Sequence, residues 1–268
     1  MGVINVTPDS FSDGGRFASL EAVLSGVRQM VEEGADIIDV GGESTRPGSS
    51  PVPAAIQLER LLPLLRELRA LTVPVSIDTS APEVMRAALD LGVAIVNDVR
   101  SLRLPGALDV VRSSDCAVVL MHMQGEPQTM QQQPRYTDVL AEVGAALAQR
   151  RGQMLDAGVA AERIAVDPGF GFGKTHEHNL RLLAGLERLA GIGAPLLVGL
   201  SRKSTLGEIT RRPVGQRLGA SLAAALLAAE NGAQIVRVHD VAATRDALAV
   251  WQAARAQRAQ LAHEEQTR

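Results

Sequence analysis

The chain has a single cysteine, Cys116, among its 268 residues. An intramolecular disulfide framework is therefore excluded, as is a cysteine-rich zinc site, and a reducing compartment such as the cytoplasm is the expected setting. Aromatic residues make up 2% of the sequence, too few for a platform on which single-stranded nucleic acid stacks. Neither sign of charge is in large excess: Lys and Arg number 27 against 30 Asp and Glu, a formal net charge of −3. That balance gives no broadly basic surface for nucleic acid, although it leaves room for local cationic sites. No apolar run reaches the ~18 residues of a membrane span, and the N-terminus lacks a basic-then-apolar leader pattern. Neither nucleic acid nor membrane is an expected partner.

What the sequence does have is 46% apolar residues against 21% charged. That is enough for a sizeable core and too apolar for disorder. Short β-branched runs recur between longer amphipathic segments. Strands are predicted at Gly2–Val6, Asp36–Gly42, Val73–Thr79, Val93–Val99, Ala117–Met123, Ile164–Gly169, Pro195–Arg202 and Ile235–Asp240. Helical patterns lie between them, among them Leu20–Glu33, Ala54–Leu71, Pro82–Leu91, Val139–Ala157, Gln216–Asn231 and Ala243–Ala256. Several close on glycine just before the next strand: Glu33-Gly34, Leu91-Gly92, Ala157-Gly158, Asn231-Gly232. Glycine accepts the left-handed backbone that ends a helix. The repeat of helix, glycine and apolar strand is the pattern of βα units feeding a parallel sheet. It predicts an α/β protein, a single-domain (β/α)8 TIM barrel over residues 1–268, roughly 250 residues being ordinary for that fold. A doubly wound open sheet is the alternative. The stretch Thr45–Pro53 reads as a loop after the second strand, and the polar tail from about residue 257 is expected to fray.

The polar residues are not scattered. Each predicted strand ends, at its carboxyl side, in groups able to bind a ligand: Asn5, Asp39, Asp78, Asn97 with Asp98, His122, Asp167, Ser201–Ser204, and Arg237 with His239. Barrels build their active sites on that face. Any one strand-end Asp or Asn has an alternative role in capping the next helix, but all the strand ends behaving alike argues for a ligand site. Three loops add to it. The loop from Asn5 to Gly15 is polar, carries the aromatic Phe11 and exceeds the ~2–6 residues an ordinary turn needs, so it reads as a lid or as a merely exposed loop. Paired glycines in Gly41-Gly42-Glu43-Ser44-Thr45-Arg46-Pro47-Gly48 permit close backbone approach. In Asp167-Pro168-Gly169-Phe170-Gly171-Phe172-Gly173-Lys174 the alternating glycines suit a flat ligand lying on main chain. That run matches neither the dinucleotide fingerprint nor the Walker A pattern. Gly199-Leu200-Ser201-Arg202-Lys203-Ser204 follows the seventh strand, where barrels often bind phosphate; it reads as a site for an anion, as a set of donors to a carbonyl, or as solvated surface. Arg237 and His239 share one face of a strand, where a buried charge needs a partner or a ligand. His122 and His239 lack the spacing of a zinc pair, which leaves a zinc hydrolase a minor alternative. Met121 and Met123 are core residues by default, with ligand contact second, and Cys116 packs as a small apolar group.

The run Met1-Gly2-Val3-Ile4-Asn5-Val6-Thr7-Pro8-Asp9-Ser10-Phe11-Ser12-Asp13-Gly14-Gly15 resembles the opening motif of the dihydropteroate synthases. The resemblance continues, in the family's order, through Asp39–Gly48, Ser76–Thr79, Asn97-Asp98, Met121–Gly125, Asp167–Lys174, Ser201–Ser204 and Arg237–Asp240. Family members usually carry further residues ahead of the first motif, so a cap over the barrel floor is an expected omission here. The resemblance implies a transferase of folate biosynthesis and a sulfonamide target. Its substrates would be 6-hydroxymethyl-7,8-dihydropterin pyrophosphate and p-aminobenzoate, its products 7,8-dihydropteroate and pyrophosphate. It also implies Asp78, Asn97, Asp167 and Lys203 as pterin readers, with Met121, Gly171 and Gly199 lining the pocket. A pterin edge of N–H donors and a carbonyl suits two carboxylates, an amide and a lysine. Asn5 would be the Mg2+ ligand, and Arg237 and His239 would hold the departing pyrophosphate. Thr45, Arg46, Pro47 and Ser204, with Phe11 above, would form the p-aminobenzoate side. The family implies a dissociative substitution in which Asp78, Asp167, Lys203, Arg237 and His239 act by positioning and electrostatics. It further implies a homodimer, for which the apolar Ala220–Ala229 segment is a candidate if it is not core. Two alternatives remain: a pterin-binding methyltransferase domain, and a catalytically silent pterin-binding paralogue.

If the p-aminobenzoate side is completed only when the pterin pyrophosphate and Mg2+ are in place, the free protein binds p-aminobenzoate weakly. A pterin analogue with pyrophosphate and Mg2+ then tightens it at least about tenfold, ~1.4 kcal/mol of coupling. Calorimetric titration of p-aminobenzoate with and without those ligands checks this; equal affinities mean a preformed pocket.

Overall fold

The computed structural model describes residues 1–6, 15–43, 49 and 51–266. Among the described residues eight parallel strands run β1 Gly2–Asn5, β2 Ile38–Gly41, β3 Val75–Asp78, β4 Ile95–Asp98, β5 Ala117–Met121, β6 Ile164–Asp167, β7 Leu197–Val198 and β8 Ile235–Val236. The first six form one sheet in sequence order and the last two form a pair. Main-chain hydrogen bonds join the two pieces at both seams. Val166 N donates to Pro195 O at 2.9 Å on one side; Val3 N to Val238 O at 3.0 Å and Val238 N to Met1 O at 2.9 Å close the other. The ring is therefore the expected (β/α)8 barrel and not an open doubly wound sheet.

Each strand lies within a predicted run and is shorter than it. The predicted Pro195–Arg202 keeps two ladder residues in β7, because the polar groups at its carboxyl end belong to the following loop. The outer helices are α1 Gly15–Glu32, α2 Ala54–Leu68, α3 Pro82–Asp90, α4 Ala107–Arg112, α5 Val139–Asp156, α6 His176–Ala184, α7 Ser204–Thr210, α8 Leu218–Glu230 and α9 Val241–Gln266. The glycines read as helix stops, Gly34, Gly92, Gly158 and Gly232, have φ of +90°, +89°, +89° and +96°, the left-handed geometry that only glycine adopts without strain. Helix α5 starts on Asp138, whose carboxylate accepts from Leu140 N and Ala141 N at 3.0 and 3.1 Å. Helix α9 carries through the polar segment after Ala256 as an exposed helix.

Successive side chains on a strand point to opposite faces. On this ring one set packs outward under the helices in the main core, including Ile38, Val40, Ile77, Val96, Val118, Leu120, Ile164 and Val166. The other set fills the lumen. Met1, Val119 and Leu197 form a separate buried cluster there, surrounded by Ile37, Ile95, Ala165 and Ile235. The next inward positions, two residues along each strand, are Asp39, Asn97, Met121, Asp167, Gly199 and Arg237. An apolar plug thus supports a polar layer at the carboxyl mouth.

Candidate active site

Arg237 enters this polar layer from β8. Its Nε donates to Asp39 Oδ2 at 2.6 Å and its Nη2 to Asp78 Oδ2 at 2.9 Å. Asn97 Nδ2 donates to the same Asp39 Oδ2 at 3.2 Å. Asp39 is 0% exposed and Asp78 6%, so two buried carboxylates share one guanidinium. Burial raises the Asp78 pKa above the carboxylate range; Arg237 opposes this, and Asp39, Asp98 and Glu43 reinforce it. Burial also works against the charge of Arg237, but Asp39 and Asp78 outweigh it and hold the guanidinium protonated. Asp78 Oδ1 meets no donor among the described residues. An unused acceptor on a buried carboxylate costs roughly 1–3 kcal/mol, which a ligand N–H in that place would recover.

The loop after β6 supplies the opposite wall. Asp167 Oδ1 accepts from Gly169 N at 2.7 Å; burial raises its pKa, with Lys203 pulling it down. Lys203 Nζ donates to Phe170 O and sits 4.8 Å from the centre of the Phe172 ring. Burial lowers its pKa to about 8, against the pull of Asp167. The three alternating glycines do different jobs. A side chain on Gly169 would collide with the His122 carbonyl, and one on Gly173 with the Gln124 carbonyl. These two let the loop pack on the end of β5, while Gly171 alone borders Lys203. The expectation of a three-glycine bed for a flat ligand is narrowed accordingly.

Lys174 holds this loop down, a role the sequence reading did not find. It is buried, and its Nζ lies 3.0 Å from Gly169 O, 3.0 Å from Phe172 O, 3.3 Å from His122 O and 3.0 Å from His122 Nδ1. Burial lowers its pKa to about 7. His122 is lowered to about 3, by burial first and then by Lys174, so its ring is neutral near pH 7. Gln57 was missed as well. Its amide donates to Glu43 Oε2 at 3.0 Å and to Val52 O at 2.9 Å, and accepts from Thr79 Oγ1 at 2.9 Å. The signal was present: Gln57 stands on the buried face that α2 otherwise fills with Leu61, Leu64, Leu65 and Leu68.

Several expected site residues are placed differently. Asp98 accepts from Arg100 N at 2.8 Å, Leu102 N at 2.6 Å and Ser80 Oγ, so it organises its own turn instead of facing a ligand. Arg202 pairs with Asp240, Nε to Oδ2 at 3.1 Å, and is spent there rather than on an anion. Asp78 is not a helix cap, since α3 begins after Ala81 with no side-chain cap. His239 N donates to Ser201 Oγ at 3.2 Å, with Nδ1 3.0 Å from the same oxygen, and Ser204 is the exposed first residue of α7. Met121 is buried at the end of β5, and Gly199 packs beside Arg237 Cβ. Asn5 ends β1, and a Cβ on Gly41 would stand 2.7 Å from its Oδ1; the glycine gives that amide its room. A hard cation carried chiefly by substrate oxygens needs few protein ligands, and the neutral oxygen of Asn5 fits such a role. Phe11, Thr45, Arg46 and Pro47 lie outside the described residues.

A family sequence model described as pterin binding enzyme matches residues 1–239. The dihydropteroate synthase of Haemophilus influenzae is 48% identical over 254 residues, which span 94% of this chain and 92% of that protein. Among solved structures, Xanthomonas albilineans dihydropteroate synthase with 4-aminobenzoic acid superposes with a TM-score of 0.90 at 51% identity, covering 96% of this chain and 92% of that one. Burkholderia cenocepacia dihydropteroate synthase complexed with 7,8-dihydropteroate gives 0.88 at 51% identity, with coverages of 97% and 92%.

Two predictions concern the charged groups of the mouth. Asp78→Asn is expected to abolish turnover while the melting temperature stays level or rises. The raised pKa means that ionised Asp78 lowers stability at neutral pH, and the amide removes that cost. A capping residue would do the reverse, losing ~1 kcal/mol of stability and keeping activity. Thermal melts beside a turnover assay separate the two. For Lys203, kcat/KM reports the free protein's ionisations. Below about pH 8 the lysine is a charged donor and above it the charge is lost. Catalytic efficiency toward the pterin substrate should therefore fall as pH rises through about 8. In Lys203→Arg, which stays charged, that alkaline limb should disappear; an unchanged limb assigns it to another group.

Proposed function

The chain belongs to the pterin-binding enzyme family, and we infer that it catalyses the dihydropteroate synthase reaction of folate synthesis. It joins 6-hydroxymethyl-7,8-dihydropterin pyrophosphate to p-aminobenzoate and releases pyrophosphate. The observation that carries this reading is the convergence of Asp78, Asn97 and Asp167, from three strands, with Lys203 at one mouth. Acceptors from the first three would take the ring N–H groups, and Lys203 would release Phe170 O to donate to the ring carbonyl.

The mechanism we propose is a dissociative substitution. The bond between the pterin methylene and the pyrophosphate oxygen breaks first, and the electron pair leaves with pyrophosphate. Arg237 and His239, at the end of β8, would steady the departing charge. Arg237 is already fixed by Asp39 and Asp78, so little reorganisation is needed at that moment. The methylene cation is delocalised into the ring beside Asp78 and Asp167. The neutral amine of p-aminobenzoate then attacks from the side that the resemblance gives to Thr45, Arg46, Pro47, Ser204 and Phe11; the C–N bond forms and the nitrogen gives up one proton to the released pyrophosphate or to water. Asn5 would hold Mg2+, which when bound neutralises charge on the pyrophosphate oxygens. No side chain becomes a covalent nucleophile.

We further propose a cytoplasmic homodimer. No described helix is long and apolar enough to cross a membrane. Ile209, Val214, Leu218 and Leu227 are exposed on and between α7 and α8, apolar groups that association with a second copy would shield, whereas Ala224, Ala225, Ala228 and Ala229 of the same segment are core. Pyrophosphate release, measured with both substrates and with each alone, tests the activity. Release is expected only with both; pterin binding without release would identify a silent paralogue, and methyl transfer to a corrinoid the methyltransferase alternative.

A further inference from the structure

Asp39 is wholly buried, and the same oxygen, Oδ2, accepts from Arg237 Nε and from Asn97 Nδ2. Its place in the ring explains the reach. Asp39 lies beside Ser76 in the β2–β3 register, and Asn97 beside Asp78 in the β3–β4 register. The Asn97 amide therefore spans the intervening strand to find this carboxylate.

A carboxylate offers acceptors only, whereas an asparagine amide offers a donor side and an acceptor side of nearly equal shape. Against Asp39 only the donor side is tolerated, because the turned amide would set oxygen against oxygen in a buried place. The Arg237 guanidinium fixes the carboxylate from a second direction, so Asp39 cannot turn away to relieve such a clash. Asn97 Oδ1 is consequently left as the face available to a ligand. It stands in the same layer as Asp78 and Asp167, the two other acceptors.

We propose that Asp39 is a specificity-determining positioning residue, which by holding the Asn97 amide N–H makes Asn97 an obligatory acceptor toward the ring. The inference rests on the reading of this mouth as a pterin site and says how that site selects among flat heterocycles. With Asp39 in place, a ligand presenting N–H groups is matched. A ligand presenting a carbonyl there meets a third acceptor and is rejected. Asp39 touches no substrate itself; it acts through Asn97.

The test uses 6-hydroxymethylpterin, which has the ring without the pyrophosphate, and inorganic pyrophosphate as a separate probe. In Asp39→Ala no acceptor faces the Asn97 N–H, so that amide is no longer compelled, while Arg237 keeps Asp78. Ring affinity should fall about tenfold or more, with pyrophosphate affinity held. Discrimination against 6-hydroxymethyllumazine, which carries a carbonyl in place of the 2-amino group, should shrink with it. A merely structural residue would lower the melting temperature without moving that discrimination. Adding Asn97→Asp to Asp39→Ala makes residue 97 an acceptor whichever way it turns and leaves the total charge unchanged. It should restore the discrimination. Unchanged ring affinity in Asp39→Ala overturns the proposal, and so does loss of pyrophosphate affinity alone, which would mean that Asp39 acts through Arg237. Should Asp39→Ala fail to fold, the double variant must still discriminate against the lumazine as the wild type does; lost discrimination overturns it. Wild-type protein that neither binds the ring nor releases pyrophosphate would instead overturn the functional reading.

Discussion

One guanidinium between two buried carboxylates organises the mouth of this barrel. Arg237 comes from the eighth strand and Asp39 and Asp78 from the second and third, so the contact closes across the seam where the chain's two ends meet. Buried ion pairs are weak stabilisers in themselves, because desolvation offsets most of the attraction. Here the pair fixes positions. Truncating Arg237 would leave two carboxylates in a low-dielectric lumen with their repulsion uncompensated, and truncating either acid would leave the guanidinium one anchor in place of two. The geometry of the polar groups at this mouth depends on that mutual constraint.

The constraint is possible because the ring is layered. Strand alternation puts the residue two places after each apolar lumen residue on the same inward face. Ile37 is thus followed by Asp39, Ile95 by Asn97, Ala165 by Asp167 and Ile235 by Arg237. The lower layer excludes water and gives the upper one a rigid base. Among the described residues the upper layer leaves acceptor capacity unused at Asp78 Oδ1, at a cost to the free protein's stability. Part of the binding energy of a ligand with matching N–H groups is therefore stored in the folded barrel, and selectivity follows from the same unpaired acceptors.

The sequence showed the strands and their polar ends because both follow from local chemistry. A run of Val, Ile and Leu with a terminal Asp or Asn needs no partner to be recognised, and Asp78, Asn97, Asp167, Lys203 and Arg237 are all brought to one mouth. What it hid were the partners. Arg202 looked like an anion ligand until Asp240, 38 residues on, took its guanidinium. Asp98 looked like a ligand group beside Asn97, yet the alternation of β4 puts it on the other face, where its own turn uses it. Lys174 sits in a recognised motif, but its role depends on carbonyls of His122, Gly169 and Phe172 that no spacing rule brings together. The p-aminobenzoate side assigned to Phe11 and Thr45–Pro47 rests on the family resemblance alone, those residues lying outside the described ones.

The two lysines flanking the glycine loop show how the same residue type divides its labour. Lys174 is enclosed by carbonyls and one ring nitrogen, so its hydrogen-bonding directions are spent on the fold. Among the described residues Lys203 Nζ makes one hydrogen bond, to Phe170 O, and otherwise faces an aromatic ring and the Asp167 charge. A lysine with three donors and a single carbonyl partner keeps capacity for a ligand; one clasped on every side does not. The loop between them is thus held from beneath by an amine that stays and touched from the mouth by one that can exchange. In the proposed site, pterin binding would have Lys203 trade one carbonyl for another while the loop backbone stays where Lys174 keeps it. That exchange costs little reorganisation, which is what a site working by positioning and electrostatics needs.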